Sequence, residues 1–203
     1  MSWKKKIMVF ATILAIIAAV VFTIAITRPV AAADATAKPT LAQFINTKIL
    51  APYHSVLTGQ EFIYNRDHYG IPIIDQLVLM KIETNLGNTT GGAHPKMSVF
   101  VKYNNFGCVK YYKGRITPNP GTFVVWNAKW YRWSTPSAGM IGWAKFVSTW
   151  GKGSFLKNLK ARNWLAVART YNGKGPHAAT YASWCRTLYA KYAKIFKDAG
   201  YTP

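Results

Sequence analysis

An α+β domain with a helical core is the fold class this 203-residue chain predicts. Apolar residues recur at helical spacing in its first and last thirds, the mark of amphipathic and core helices. Between them, Cys108 to Trp133 is rich in Val, Tyr, Phe and Trp and is punctuated by turn residues, the mark of a small antiparallel sheet. The order is helices, a β insertion, then helices, with no internal repeat.

The elements follow in order. Residues 1–33 read as an export segment: Lys4-Lys5-Lys6 precede a run from Ile7 to Ile26 without a charge, and Ala31-Ala32-Ala33 supplies a small-residue cleavage site. Two readings fit that run, a cleaved signal peptide and an uncleaved helix anchoring the chain in the inner membrane. Both place the remainder outside the cytoplasm, in the periplasm or at the cell surface, because the positive flank stays inside. Residues 34–40 are an Ala/Thr/Pro linker, and 41–203 form the domain.

Thr40 is placed to cap a helix from Leu41 to about Ala51, and a second runs from Gln60 to Tyr69, ended by Gly70. Pro72 suits the start of a helix running to about Asn85, terminated by Gly87 and apolar on most of its surface, hence a central core helix. Asn88 to His94 is polar and Gly-rich, a loop. Strands are expected at Cys108–Tyr112, Thr122–Trp126 and Lys129–Trp133, separated by Gly114 and by Pro118-Asn119-Pro120-Gly121. Thr135-Pro136-Ser137 opens a helix to about Trp150, and Gly151-Lys152-Gly153 breaks it. A helix from about Leu159 to Thr170, a turn at Tyr171–Pro176 and a long helix from about Ala178 to Ala199 complete the chain.

Charge narrows the partner. The chain carries 26 Lys and Arg against 6 Asp and Glu, a net +20, and removal of residues 1–33 takes four of the basic residues and no acid, leaving +16. An exported protein this basic seeks an anionic partner, with nucleic acid, anionic lipid and the acidic polymers of a bacterial envelope as candidates. The basic residues are dispersed and not gathered in one stripe, so no specific nucleic acid is expected. His54, His68, His94 and His177 are scattered without metal-ligand spacing, and neither a metal nor another cofactor is expected. Cys108 and Cys185 are the only cysteines. An oxidising compartment permits a disulfide between them, and two buried thiols are the other reading.

One carboxylate stands apart. Glu83 falls in the last turn of the core helix, among Leu79, Met80, Ile82 and Leu86, and no acidic residue follows it until Asp198. Aliphatic burial raises a carboxyl pKa, as a general acid acting near neutral pH requires. The plainer alternative is an ion pair with Lys81 or an arginine.

Four short motifs in order bear on that choice: Glu83-Thr84 at a helix end, Asn104-Asn105-Phe106-Gly107 in the next loop, Tyr131-Arg132-Trp133-Ser134 after the hairpin, and Tyr171-Asn172-Gly173 in a late turn. In these the chain resembles the lysozyme-like superfamily of cell-wall hydrolases, closest to the glucosaminidases of glycoside hydrolase family 73, with features of lytic transglycosylases. The resemblance covers roughly Leu41 to Phe196. It implies a lysozyme-like domain cleaving the glycan strands of peptidoglycan, with Glu83 as general acid and Tyr171 across the cleft. It also implies that Thr84, Asn104, Asn105 and Phe106 lie at the substrate. Trp126 and Trp130 are the hairpin residues suited to stacking on sugar rings.

The chain departs from the family in one respect. Glycosidases usually pair two carboxylates, yet Lys110 to Arg132 contains no acid, and Asp75 lies about 12 Å from Glu83 along the same helix. A one-carboxylate reaction is therefore expected, ending in hydrolysis or in the anhydro product of a lytic transglycosylase. A non-catalytic, cationic envelope- or nucleic-acid-binding protein is the rival reading.

Overall fold

The computed structural model describes residues 38–88, 98–173 and 175–203. The expected export segment, most of the linker and the loop expected at Asn88–His94, apart from Asn88 itself, lie outside these residues. Thr40 opens α1 (Leu41–Phe44) with a reciprocal capping box: its hydroxyl accepts from Gln43 N, and its own N–H donates to the Gln43 side chain at 2.8 Å. The helix does not keep one pitch. It widens to π geometry over Ile45–Leu50 and tightens to a 3-10 turn at Ala51–Tyr53, placing Ile45, Ile49 and Leu50 in the core.

Helix α2 (Gly59–Tyr69) ends at Gly70 in the left-handed region, and α3 (Ile73–Thr84) begins directly after Pro72. Gln76 joins the two: its buried Nε2 donates to Phe62 O at 2.9 Å and to Ile71 O at 2.8 Å. Ile73, Leu77, Val78, Leu79 and Met80 are fully buried, so α3 is the central core helix that its sequence predicts. It packs against α2 and against the last helix. It ends where expected, with Asn85 (φ 53) and Leu86 (φ 61) turning left-handed ahead of Gly87 and Asn85 N–H closing onto the carbonyls of Met80 and Lys81.

After α4 (Ser98–Lys102) comes a two-stranded antiparallel sheet, β1 (Thr122–Val125) with β2 (Ala128–Tyr131). Trp126 and Asn127, both at positive φ, form the two-residue turn between them. The third expected strand is not a strand. Cys108–Tyr112 makes a single bridge, Lys110 with Trp130, flanked by Tyr111 N to Lys129 O at 2.9 Å and Tyr131 N to Val109 O at 3.2 Å. Phe100, Phe123 and Trp130 form a small apolar cluster that fastens the hairpin to α4.

Helix α5 (Pro136–Thr149) is capped by Thr135, and left-handed Gly151 and Lys152 break the chain after it. The single helix expected from Leu159 to Thr170 is two, α6 (Ser154–Lys160) and α7 (Trp164–Asn172). Arg162 (φ 53) makes the break, and the Asn163 side chain caps α7 by accepting from Ala166 N at 3.3 Å. Helix α8 (His177–Asp198) buries Ala178, Tyr181, Ala182, Cys185, Tyr192 and Phe196 on one stripe against α3 and α7. The fold is thus mainly helical with one small sheet. Among the described residues no helix is long and apolar enough to cross a membrane.

Candidate active site

Glu83 is presented by the last turn of α3, and the residues after it anchor that end. Thr84 is buried, and its hydroxyl donates to Phe106 O at 3.0 Å. Asn105 is fully buried too. Its Oδ1 accepts from Val109 N at 2.7 Å, and its Nδ2 donates to Val109 O at 3.0 Å and to Tyr131 O at 2.8 Å. Asn104 donates to Trp133 O at 2.9 Å. Gly107 is required by close approach, since a Cβ there would stand 2.0 Å from Cδ1 of Trp143. The Asn104–Gly107 segment is therefore a clamp joining the end of α3 to β2 and α5. It sets Cys108 beside Glu83, with Sγ 3.7 Å from the Glu83 carbonyl oxygen.

Glu83 is only 9% exposed and its carboxyl group has no cation partner; the two ion pairs among the described residues are Arg66–Asp67 and Lys194–Asp198. Lys81, the nearest candidate in sequence, turns away to the Asn85 side chain and lies 3.9 Å from the centroid of the Tyr53 ring. Instead, Tyr181 Oη donates to Glu83 Oε1 at 2.6 Å. Burial pushes the Glu83 pKa up to about 7, against the opposing hydrogen bonds from Tyr181 and Cys108. Burial and the nearby Glu83 charge also raise the Tyr171 and Tyr181 phenols and the Cys108 thiol well above their ordinary values, so all three are neutral donors. The Tyr171 ring stacks on Tyr181 at 5.9 Å and 16°, and its hydroxyl accepts from Trp143 Nε1 at 2.7 Å. A Trp–Tyr–Tyr layer thus backs the carboxyl group.

In front of it opens a cleft of about 230 Å³. Glu83, Cys108, Thr170 and Tyr171 lie along it with Phe100, Trp126, Trp130, Tyr112, Phe146 and Trp150, and Val109 and Lys110 complete the wall. Trp126, at the hairpin tip, is 54% exposed, whereas Trp130 is mostly packed and donates its Nε1 to Val125 O at 3.1 Å. Lys110 Nζ sits 5.5 Å from the Trp130 ring. Among the described residues the cleft carries one carboxyl group, several flat aromatic faces and one lysine, Lys110. Such a wall suits a neutral ring system, and such a carboxyl is a proton donor at neutral pH.

Glu83, Tyr171, Trp126 and Trp130 are therefore brought together at one cleft. Thr84, Asn104, Asn105 and Phe106 do not line it. Thr84 and Asn105 are buried with their side chains bonded to backbone groups, Phe106 is fully buried, and half-buried Asn104 donates to Trp133 O and lines a separate recess with Val101 and Lys102. The disulfide reading is corrected: Cys108 and Cys185 are free thiols, the first against the end of α3 and the second buried on α8 one turn beyond Tyr181. Among the described residues no group of His, Cys, Asp or Glu could hold a metal ion.

Tyr181 is the site residue that the sequence reading missed. It occupies the buried stripe of α8 with Ala178, Ala182 and Cys185, where a tyrosine reads as packing. The available signal was its hydroxyl, which must find a partner once buried. Models of protein families, curated proteins and solved structures contain no match to this chain.

Proposed function

We propose that the chain is an exported, lysozyme-like glycosidase that cleaves the glycan strands of peptidoglycan, of the endo-β-N-acetylglucosaminidase type, with Glu83 as general acid. The supporting observation is a single carboxyl, with a pKa near 7 and no counter-cation, at the foot of an aromatic-walled cleft. Protonated Glu83 gives its proton to the glycosidic oxygen as the bond to the anomeric carbon breaks, and positive charge develops on the sugar ring. Tyr181 holds the carboxyl in place and stabilises the carboxylate left behind, by the hydrogen bond already made at 2.6 Å. Tyr171 and Cys108 face the same cleft as neutral groups.

Among the described residues no second carboxylate lines the cleft to activate water or to attack the sugar. The substrate's own N-acetyl group or 6-hydroxyl then quenches the cation, and Glu83 takes back a proton in the second half of the reaction. Quenching by the hydroxyl ends in an anhydro sugar, and water ends in a reducing end. The dispersed positive charge gives the protein a second attraction, to anionic envelope polymers.

Digestion of purified peptidoglycan, with products read by mass spectrometry, tests this reading and separates the two endings. Wild-type protein is expected to release muropeptides, and Glu83→Gln is expected to release none. Equal release by Glu83→Gln sinks the reading. Absence of products from the wild type leaves a cationic binding protein instead.

A further inference from the structure

Tyr112 and Trp150 stand between two hollows. On one side they line the cleft that holds Glu83. On the other, with Lys113, Gly114, Arg115 and Thr149, they wall a second recess of about 370 Å³. The two rings are 4.9 Å apart, so the hollows adjoin across one aromatic pair.

The second recess is built around Arg115. Its guanidinium carbon lies 4.9 Å over the centroid of the Trp150 ring, a cation–π contact that holds the exposed side chain at the recess, and no hydrogen bond among the described residues uses its guanidinium N–H groups. The backbone beneath it is fixed: Arg115 N donates to Tyr112 O at 3.1 Å, and buried Tyr131 donates its hydroxyl to that same carbonyl at 2.7 Å. Both ion pairs among the described residues lie elsewhere, at Arg66–Asp67 and Lys194–Asp198, and no acid occurs between Glu83 and Asp198 in the chain. Arg115 is thus a pre-oriented fork with Lys113 beside it and no carboxylate of its own.

We propose that Arg115, supported by Lys113, forms a carboxylate-binding subsite that takes the acidic substituent of a sugar bound in the adjoining cleft. This rests on the glycan-cleaving reading given above. On a peptidoglycan strand that carboxylate is the lactyl group of a muramic acid without its peptide or, where the lactyl carboxyl is tied up as the amide to the stem peptide, a carboxylate of that peptide. The cleft selects the sugar ring by its aromatic walls, and the recess selects the charged sugar from the neutral one.

The test is equilibrium binding to full-length Glu83→Gln protein, which holds strands uncut, in the presence and absence of Arg115→Gln. Three ligands separate the sources: a chitin oligosaccharide with no carboxylate, a peptide-free glycan oligosaccharide with the lactyl carboxylate only, and the same oligosaccharide carrying its peptide. At least one acidic ligand is expected to bind roughly five- to tenfold tighter than the neutral one, as one charge-assisted contact supplies. Arg115→Gln should erase that advantage and leave chitin-oligosaccharide binding unchanged; which acidic ligand shows it identifies the carboxylate. An advantage that survives Arg115→Gln, no advantage in the parent, or equal loss on all three ligands overturns the subsite. The last outcome would make Arg115 only a prop for Trp150. Cleavage separates the two readings: strands cut without any carboxylate preference remove the subsite alone, and a preference without cleavage by the wild type removes the glycosidase reading alone.

Discussion

The two ends of α3 carry the same chemistry in different surroundings. Asp75, in its first turn, and Glu83, in its last, are both buried carboxyls whose pKa values burial pushes to about 7. Asp75 is fully enclosed, neither of its oxygens has a hydrogen-bond partner, and the nearest opposing influence is the charge of Arg162. Glu83 has a tyrosine donor on one oxygen and an open cleft in front. A shifted pKa is thus a property of burial, whereas the capacity to hand a proton to something else also requires access and a partner that stays put.

The largest expected break in this comparison is in activity. Glu83→Gln should lower the rate of peptidoglycan cleavage by about 10²–10⁴-fold, the contribution typical of a general acid, while Asp75→Asn should leave it within a factor of about two, below the effect of one weak contact. Turbidity loss of purified cell walls measures both. A matching collapse in Asp75→Asn protein that remains folded would end the distinction between the two ends.

In stability the two ends should behave alike. Each carboxyl ionises in the unfolded chain near its ordinary value, 4.5 for Glu83 and 3.8 for Asp75, and near 7 in the folded one. Between those values the folded state holds more protons, so stability falls as pH rises from about 4 to 7 and stays lower above that. Glu83→Gln and Asp75→Asn should therefore each raise stability above pH 7, by about 2–4 kcal/mol at most, with little gain at pH 4. Urea unfolding at the two pH values reads the difference. An equal gain at both pH values would mean that packing, not ionisation, is responsible.

The hydrogen bond from Tyr181 is the next distinction. It lowers the Glu83 pKa against the pull of burial. Tyr181→Phe should move the alkaline limb of kcat/KM upward by about one pH unit, the worth of one good hydrogen bond to a charge, and lower the plateau. An unmoved limb would detach Tyr181 from Glu83. The smallest effect is expected at the exposed hairpin tip, where Trp126→Ala should weaken glycan binding about three- to tenfold, the value of one stacked ring; calorimetry with a chitin oligosaccharide measures it.

Several helix ends were legible because their signals are local. Thr40, Gly70, Pro72 and Thr135-Pro136 act on backbone groups within one turn, so their meaning survives without knowledge of the fold; the capping boxes that Thr40 makes with Gln43 and Thr58 with Glu61 went unread. The split at Arg162 was missed because a left-handed arginine leaves no compositional trace, and the Asn163 cap was legible only once the break was known. The segment Cys108–Tyr112 has strand composition but lacks strand geometry. Its pairing with β2 is interrupted by the clamp that Asn105 makes on both Val109 and Tyr131.

The candidate site divides in the same way. The sequence by itself determined that α3 is a core helix, that Glu83 ends it among aliphatic side chains, and that nothing acidic follows for more than a hundred residues. Those are statements about neighbours and composition, which a chain carries with it. Only the tertiary structure decided that Asn104 and Asn105 brace the loop, since their partners are backbone carbonyls some 26 to 29 residues away at Tyr131 and Trp133. It also decided that Tyr181, 98 residues from Glu83, meets the carboxyl, and that Arg115 stacks on Trp150 beside the cleft. Hydrogen-bond partners and cleft walls are set by which helix faces meet. No local preference encodes that meeting, because it results from burying all the apolar stripes at once.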